Sequence, residues 1–494
     1  MEIYSFCPLG YHGTLVKIEV ELRRGIPGID IVGLPDSAVK ESRERVRAAL
    51  RNGGFAVPKH RILINLSPAG IRKAGAGYDL ALAIAILVSS GQLPWELDEP
   101  LLVVGELSLS GAVRSVRGLP AAIDLAAEQG ITRCIIPAEQ PEIFRSNRFW
   151  MLTLDHLKGL NTQVLRFMST PGHPEQKPSG AIPEHIMRLE PLQRLAYGVS
   201  LAGGHHALLL GPPGTGKTTF LRMAWDYRPG MLEHHSRESQ RIGATAFSEN
   251  PPDQPGNPVR WPSASSSYEG IFGGGRWIQP GEVSMSHGGI LVMDELMDFG
   301  PKILGGLRIP MEQDTIQVSR ADSLTRYPCE FTLWAAANLC PCGARGRETD
   351  ICLCDSRSIQ RYWSTLGAAL YDRFDMRILF PGYHTEDIEV PSWLENPQSM
   401  ETAVQRARDH QQRGIFTQGV ACLHGRLAGT EFLTTSQGSR GYREYTAIER
   451  LSLTLAVMEN RRHVLPEDIV LARILREPPG LDIWMGELVG VCQN

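Results

Sequence analysis

The stretch that most constrains this chain is Gly211–Thr218, GPPGTGKT, a full G-x-x-x-x-G-K-[ST] match. It follows an apolar run, Leu208–Leu210, and precedes a plausible helix, Thr218–Trp225. Strand, glycine turn and helix in that order can cradle phosphate, and the context argues against a chance glycine turn. Gly211, Gly214 and Gly216 let backbone N–H groups turn toward phosphate oxygens, with Pro212, Pro213 and Thr215 completing the turn. The helix N-terminus, entered through Lys217, Thr218 and Thr219, adds positive potential. Lys217 is placed to bridge the β- and γ-phosphates of ATP, and Thr218 to put its hydroxyl on Mg2+.

A companion strand follows, Ile290–Glu295, ILVMDE, four apolar residues ending in two acids, with Asp294 76 residues after Thr218. Alone such a strand is common; at this spacing from a phosphate loop it reads as the Mg2+ strand. Asp294 is expected in the magnesium shell, and Glu295 is expected to polarise the attacking water. Asn338 closes a third apolar strand, Phe331–Ala336, where an amide orients the lytic water. Arg373, in LYDRFD, is a candidate finger completing a neighbouring subunit's site in trans; the bland alternative is a salt bridge to Asp372 or Asp375. Arg440, in GSRGY at the start of a late helix, is a candidate lid arginine, with a solvated helix start as its alternative.

At 494 residues the chain exceeds one ordinary core. A net charge of −4 excludes a uniformly basic nucleic-acid binder but leaves room for local basic surfaces. No apolar run approaches the roughly 18 residues of a membrane span, and MEIYSFCPLG lacks the pattern of a secretory signal. Nine cysteines, four of them within fifteen residues, suit an intracellular metal site better than a disulfide framework, so the expected compartment is the cytoplasm. The clearest seam is Ser169–Pro183, with four prolines and two glycines. Four segments are expected: an N-terminal α/β domain over 1–168, a linker over 169–183, a nucleotide-binding α/β core over 184–383 and a helical lid over 384–494. Leu15–Leu22, Arg61–Leu66 and Leu101–Leu109 read as strands; Asp36–Arg51, Gly77–Val88 and one long helix Glu184–Ala202 read as helices.

Cys340, Cys342, Cys352 and Cys354 form C-x-C-x9-C-x-C. Two close thiolate pairs can converge on Zn2+ at about 2.3 Å each, a closed and therefore structural site. Reduced cysteines or an occasional disulfide are the alternatives. The helix Asp36–Arg51 carries Lys40, Arg43, Arg45, Arg47 and Arg51 with Glu41 and Glu44 between them. It reads chiefly as a solvated face laced with i,i+3 and i,i+4 ion pairs, and secondarily as a track for DNA phosphates.

Longer stretches carry a resemblance. GIPGIDIVGLPDSAVKESRERVRAAL, INLSPAGIRKAGAGYDLALAIAIL and VVGELSLSGAVRSVRGL, then EGIFGGG, PGEVSMSHGGILVMDEL, MEQDTIQVSRA and CPCG, resemble the ComM/YifB family, the magnesium-chelatase-like branch of AAA+ ATPases. The resemblance implies a Lon-peptidase-like N-terminal domain of α+β type, an AAA+ P-loop α/β core with a C-terminal helical lid, and a homohexameric ring. It implies a DNA helicase of the branch-migration type, serving recombination or natural transformation on single-stranded or branched DNA. By the same resemblance Arg276 and Trp277 belong to a loop projecting into the ring pore. An alternative is a magnesium-chelatase-type subunit for metal insertion. An ATP-dependent protease is disfavoured, because Lys73–Asp79 offers no serine or threonine and Leu119 and Pro120 stand where the dyad lysine belongs. The chain departs from the family's usual pattern at RWPSASS, Arg260–Ser266, which lacks a histidine pair, and at Leu339, where a proline is usual.

Overall fold

The computed structural model describes residues 2–93, 95, 99–139, 149–162, 168–169, 179–246, 258–275, 278–320, 323–347, 350–381, 391–412 and 442–481. Arg276, Trp277, Arg440, Cys422 and Cys492 lie outside the described residues. The chain divides into two compact units, 1–175 with 240–251, and 176–239 with 252–494. The described residues of 391–412 and 442–481 fall in the second unit together with the glycine loop.

The first unit is built on an eight-stranded mixed sheet. Its elements are β1 (Ile3–Leu9), β2 (His12–Arg23), β3 (Gly28–Val32), α1 (Ser37–Asn52), β4 (Arg61–Ser67), α2 (Asp79–Ser89), β5 (Leu101–Val103), α3 (Leu119–Glu128), β6 (Arg133–Pro137), β7 (Trp150–Leu154) and β8 (Met168–Ser169). The spatial order is β8-β7-β6-β5-β1-β2-β4-β3. In β4, Ile62, Ile64 and Leu66 are buried while their neighbours are not, the period-2 pattern of a strand with one covered face. Those residues share a core with Val39, Val46 and Leu50 of α1 and with α2, in which Asp79 to Leu87 are all buried. The Asp36 carboxylate accepts the Val39 N–H at 2.8 Å and caps α1.

Two expectations change here. Leu101–Leu109 is not one strand: β5 ends at Val103, and the Gly105 N–H turns to the Gly77 carbonyl at 3.1 Å. The face of α1 is not laced with pairs either. Of its bases, only Arg45 forms an ion pair among the described residues, with Glu41 at 4.0 Å and with buried Asp79 at 2.7 Å. Arg43 and Arg47 instead line a cavity of about 270 Å3 with His60, Glu44 and Asp30.

The second unit carries a five-stranded parallel sheet. Its elements are α4 (Pro191–Gly203), β9 (Ala207–Leu210), α5 (Lys217–Asp226), β10 (Val259–Arg260), β11 (Ile290–Met293), β12 (Thr332–Ala337), α6 (Ser356–Leu366), β13 (Met376–Leu379), α7 (Pro397–Gln412), α8 (Tyr442–Met458) and α9 (Pro466–Arg476). The order is β10-β11-β12-β9-β13. Strands β9, β11, β12 and β13 are buried at every residue, as a parallel sheet covered on both faces requires. Tyr197, Phe220, Trp334 and Phe380 pack in edge and tilted contacts 5.4–5.8 Å apart between α4, α5 and the sheet. Leu195, Val199, Val404, Leu451 and Leu475 belong to the same core; α7 and α8 pack on α4, and α9 packs on α8 and β13.

The long helix Glu184–Ala202 breaks in two. A 3-10 turn runs over Glu184–Arg188, Leu189 and Glu190 are extended, and α4 starts at Pro191. Proline at a first helical position has no N–H to continue the preceding turn and forces its predecessor out of the helical region. No described helix is long and apolar enough to cross a membrane.

Candidate nucleotide site and four-cysteine cluster

Parallel register gathers the site. Leu210 stands opposite both Ala337 and Leu379, and Met293 opposite Ala335. The residues that follow β9, β11 and β12 therefore meet at the carboxyl edge of the sheet, where open α/β sheets bind ligands. A cavity of about 550 Å3 opens there. Its lining includes Pro213, Gly214, Gly216, Lys217, Thr218, Thr219, Asp294, Glu295 and Asn338.

The loop geometry explains its glycines. A Cβ on Gly211 would stand 1.8 Å from the Phe380 carbonyl oxygen, so the first position tolerates no side chain. Gly216 enters α5 at φ 100, in the left-handed region that glycine adopts without strain. The Thr215 hydroxyl donates to the Pro212 carbonyl at 2.8 Å and pins the turn.

Lys217 is almost fully buried. Its ammonium donates to the carbonyls of Gly211 at 2.6 Å and Pro212 at 2.8 Å, and to Asn338 Oδ1 at 3.2 Å. Burial pushes its pKa down to about 8, against the opposing pull of Asp294. The cation is thus held by loop dipoles that a phosphate group can replace. The Thr218 hydroxyl donates to Asp294 Oδ2 at 2.9 Å, so the two expected magnesium-binding side chains are already in contact. An oxygen pair of this kind, one hydroxyl and one carboxylate facing open cavity, fits a hard divalent cation that keeps most of its water. Glu295 is in the left-handed region at φ 50, and its N–H donates to Asp294 Oδ1 at 3.0 Å, while its exposed side chain enters the cavity. Two further polar side chains line the cavity that sequence reasoning passed over, Asp298 and Tyr362. Asp298 follows Glu295 by one short turn, a spacing visible in MDELMDF. Tyr362 comes from α6, far along the chain, and burial pushes its phenol pKa up.

Arg373 does not line this cavity. Nor does it pair with Asp372 or Asp375. Its guanidinium pairs with Glu312 and donates to the Ala369 carbonyl at 2.5 Å. The other Glu312 oxygen accepts from Arg443 of α8 at 2.9 Å. Asp375 is committed elsewhere: it accepts the His206 N–H at 3.0 Å and faces His205 and Arg450, each 3.7 Å away. Burial works to raise the Asp375 pKa, but Arg450 and the two histidines outweigh it and hold the carboxyl well below the usual range.

The four cysteines converge. Their Sγ atoms lie within 4.8 Å of one another, with Cys340–Cys342 at 3.3 Å, Cys342–Cys352 at 3.7 Å and Cys352–Cys340 at 3.6 Å. A tetrahedron with Zn–S of about 2.3 Å has edges of about 3.8 Å, so the donor set fits zinc. The Arg345 N–H donates to Cys340 Sγ at 3.4 Å, which supports a thiolate there. Cys7, Cys134 and Cys329 are buried and free, apart from this cluster.

Comparison with known proteins comes to the same region. The family described as magnesium chelatase, subunit ChlI, matches residues 188–388, and that described as subunit ChlI of Mg-chelatase matches residues 18–140. The chain is 34% identical to YifB of Escherichia coli over 77% of this chain and 75% of that protein. It is 35% identical to the competence protein ComM of Haemophilus influenzae over 77% and 76% of the two chains. A shorter likeness, 27% over 37% of this chain and 22% of the other, is to the probable DNA helicase MCM9 of Oryza sativa.

Proposed function

From the premise that this chain belongs to the ComM/YifB family of magnesium-chelatase-like AAA+ ATPases, we propose that it is a cytoplasmic DNA-remodelling motor, a homohexameric ring that drives single-stranded or branched DNA by ATP hydrolysis in recombination or natural transformation. The observation that carries the reading is the contact between Thr218 and Asp294 beside Lys217, with Glu295 lining the same cavity. Lys217 holds the β- and γ-phosphates, and the loop N–H groups from Gly214 to Thr219 cradle them. Thr218 and Asp294 would hold magnesium, whose charge offsets that of the phosphate oxygens. Glu295 polarises the lytic water and Asn338 orients it. Arg373, outside its own chain's cavity, serves a neighbour's site, and Arg440 serves as the lid arginine. The cysteine cluster holds a structural zinc. DNA as the cargo is supported by the family, by the name of the MCM9 relative, and by Arg43 and Arg47, which have no carboxylate partner among the described residues.

The test is ATP hydrolysis by the full chain with and without a panel of single-stranded, duplex and branched DNA, alongside a native mass. Stimulation by DNA in a hexamer is the expected result; an oligomer that binds no DNA overturns the reading. The names of the matching families favour a second reading, a metal-insertion subunit, which a porphyrin-metalation assay with partner subunits would reveal.

A further inference from the structure

The cysteine cluster and the phosphate loop touch. Cys340 lies two residues beyond Asn338, and Pro341 lines the nucleotide cavity. Gly343, at φ 74, sits against the loop so closely that a Cβ there would stand 2.9 Å from Pro213 Cγ. The Arg347 guanidinium donates to the Pro213 carbonyl at 3.1 Å and is itself held by Asp350 at 2.6 Å. Both Gly343 and Arg347 belong to the segment that the four thiolates enclose. Among its described residues, short turns such as Gly343 N–H to the Cys340 carbonyl at 3.1 Å give local order, but the apolar side chains Ile351 and Leu353 are 85% and 89% exposed.

The Pro213 carbonyl matters because the peptide plane is rigid. In a trans peptide the N–H of the next residue points opposite to the carbonyl. Holding the Pro213 carbonyl toward Arg347 therefore aims the Gly214 N–H the other way, and Gly214 is a cavity residue. The cysteine segment sets the direction of a phosphate-binding donor.

We propose that metal held by Cys340, Cys342, Cys352 and Cys354 controls nucleotide affinity, by fixing Gly343 and Arg347 against Pro213 and so preorganising the phosphate loop. The proposal rests on the zinc reading above but not on DNA as cargo. With metal bound, the segment from Cys340 to Cys354 is a rigid buttress. Without it, the segment has too few buried apolar contacts to hold its shape, and the loop pays the cost of ordering when nucleotide binds. Coupling of this kind is reciprocal, so nucleotide tightens the hold on the metal by the same factor.

The experiment uses the full-length protein. Zinc content is measured by elemental mass spectrometry. Affinity for a fluorescent ATP analogue is titrated for the protein as purified, after extraction with a thiol-competing chelator, and after reloading with zinc alone. We expect one zinc per chain, about tenfold weaker nucleotide binding on extraction, as loss of one charged hydrogen bond predicts, recovery on reloading, and slower zinc release in the presence of ATP. Arg347→Ala is expected to keep its zinc, to bind nucleotide as weakly as the extracted protein and to respond little to extraction. An Arg347→Ala chain that holds zinc and binds nucleotide as tightly as the parent overturns the proposal, even if extraction unfolds the protein. A chain that binds nucleotide but never zinc overturns the metal centre and its coupling together. Failure to bind DNA, with the coupling intact, overturns only the DNA-motor reading.

Discussion

Lys217 Nζ lies 3.2 Å from Asn338 Oδ1, a contact between the start of α5 and the end of β12. It ties the phosphate loop to the neighbouring strand. The buried ammonium is satisfied by this amide and two loop carbonyls, so nucleotide binding exchanges one set of partners for a stronger one.

Lys217→Ala is therefore expected to abolish nucleotide binding. The pH dependence has a definite sign. Binding a polyanion favours the charged lysine, whose pKa burial has lowered to about 8. Nucleotide affinity should fall as pH rises through about 8, with proton uptake on binding above it. The depressed pKa also means that Lys217 opposes folding while it is charged, and this cost is relieved as pH rises from about 8 toward the ordinary 10.5. Isothermal titration in buffers of different ionisation heat measures the uptake; affinity flat from about pH 7 to 9 would contradict it.

Glu295→Gln should retain ATP and lose hydrolysis by about a hundredfold or more, the usual contribution of a positioned base. Normal turnover in this variant would move the base elsewhere, with Asp298 the cavity carboxylate not assigned to magnesium. Tyr362→Phe preserves the packing and removes the phenol, so it separates a role in water positioning from a role in the core.

Arg373→Ala should inactivate assembled protein while leaving nucleotide binding by each chain intact. Mixing it with Lys217→Ala chains should restore part of the activity, because some interfaces then combine an intact loop with an intact arginine. Mixed rings without any recovery would assign Arg373 to its Glu312 pair alone.

Arg43→Ala with Arg47→Ala should weaken DNA binding and flatten its salt dependence. Two lost phosphate contacts reduce the log–log slope by about 1.4 for single-stranded DNA. An unchanged slope would return α1 to a merely solvated face.

Arg45→Ala should cost about 3 kcal/mol of stability, because it leaves the fully buried Asp79 carboxylate without its charge partner. Burial raises the Asp79 pKa even with Arg45 present. The penalty should shrink at acid pH as Asp79 takes up a proton, and urea unfolding at two pH values reads the difference.

What is legible in the sequence is what lies contiguous in it. The glycine turn between β9 and α5 and the acids closing β11 each announce themselves through neighbours, because strand, turn and helix chemistry is local. The same reading stretches a helix through Pro191, since apolar spacing continues across a residue whose ring forbids the turn. It also laces α1 with ion pairs from spacing alone, whereas among the described residues only Arg45 keeps such a pair, with Glu41, and its closer partner is Asp79 across the core. Glu312 on Arg373 and Arg347 on Pro213 are separated by 61 and 134 residues from what they touch, Tyr362 reaches the cavity from α6, and no local pattern marks any of them.

The strand register has a consequence for how this protein would fail. Thr218 and Asp294 meet at 2.9 Å although they stand on elements separated by β12. One residue of slip between β11 and β12 displaces a side chain by about 3.3 Å and turns it to the opposite face. That displacement exceeds the contact distance. The apolar residues of β11 and β12 therefore act as an alignment gauge for the chemistry at their ends. Substitutions there should silence the enzyme while the chain is still folded, so activity would be a finer gauge of sheet registry than any melting curve.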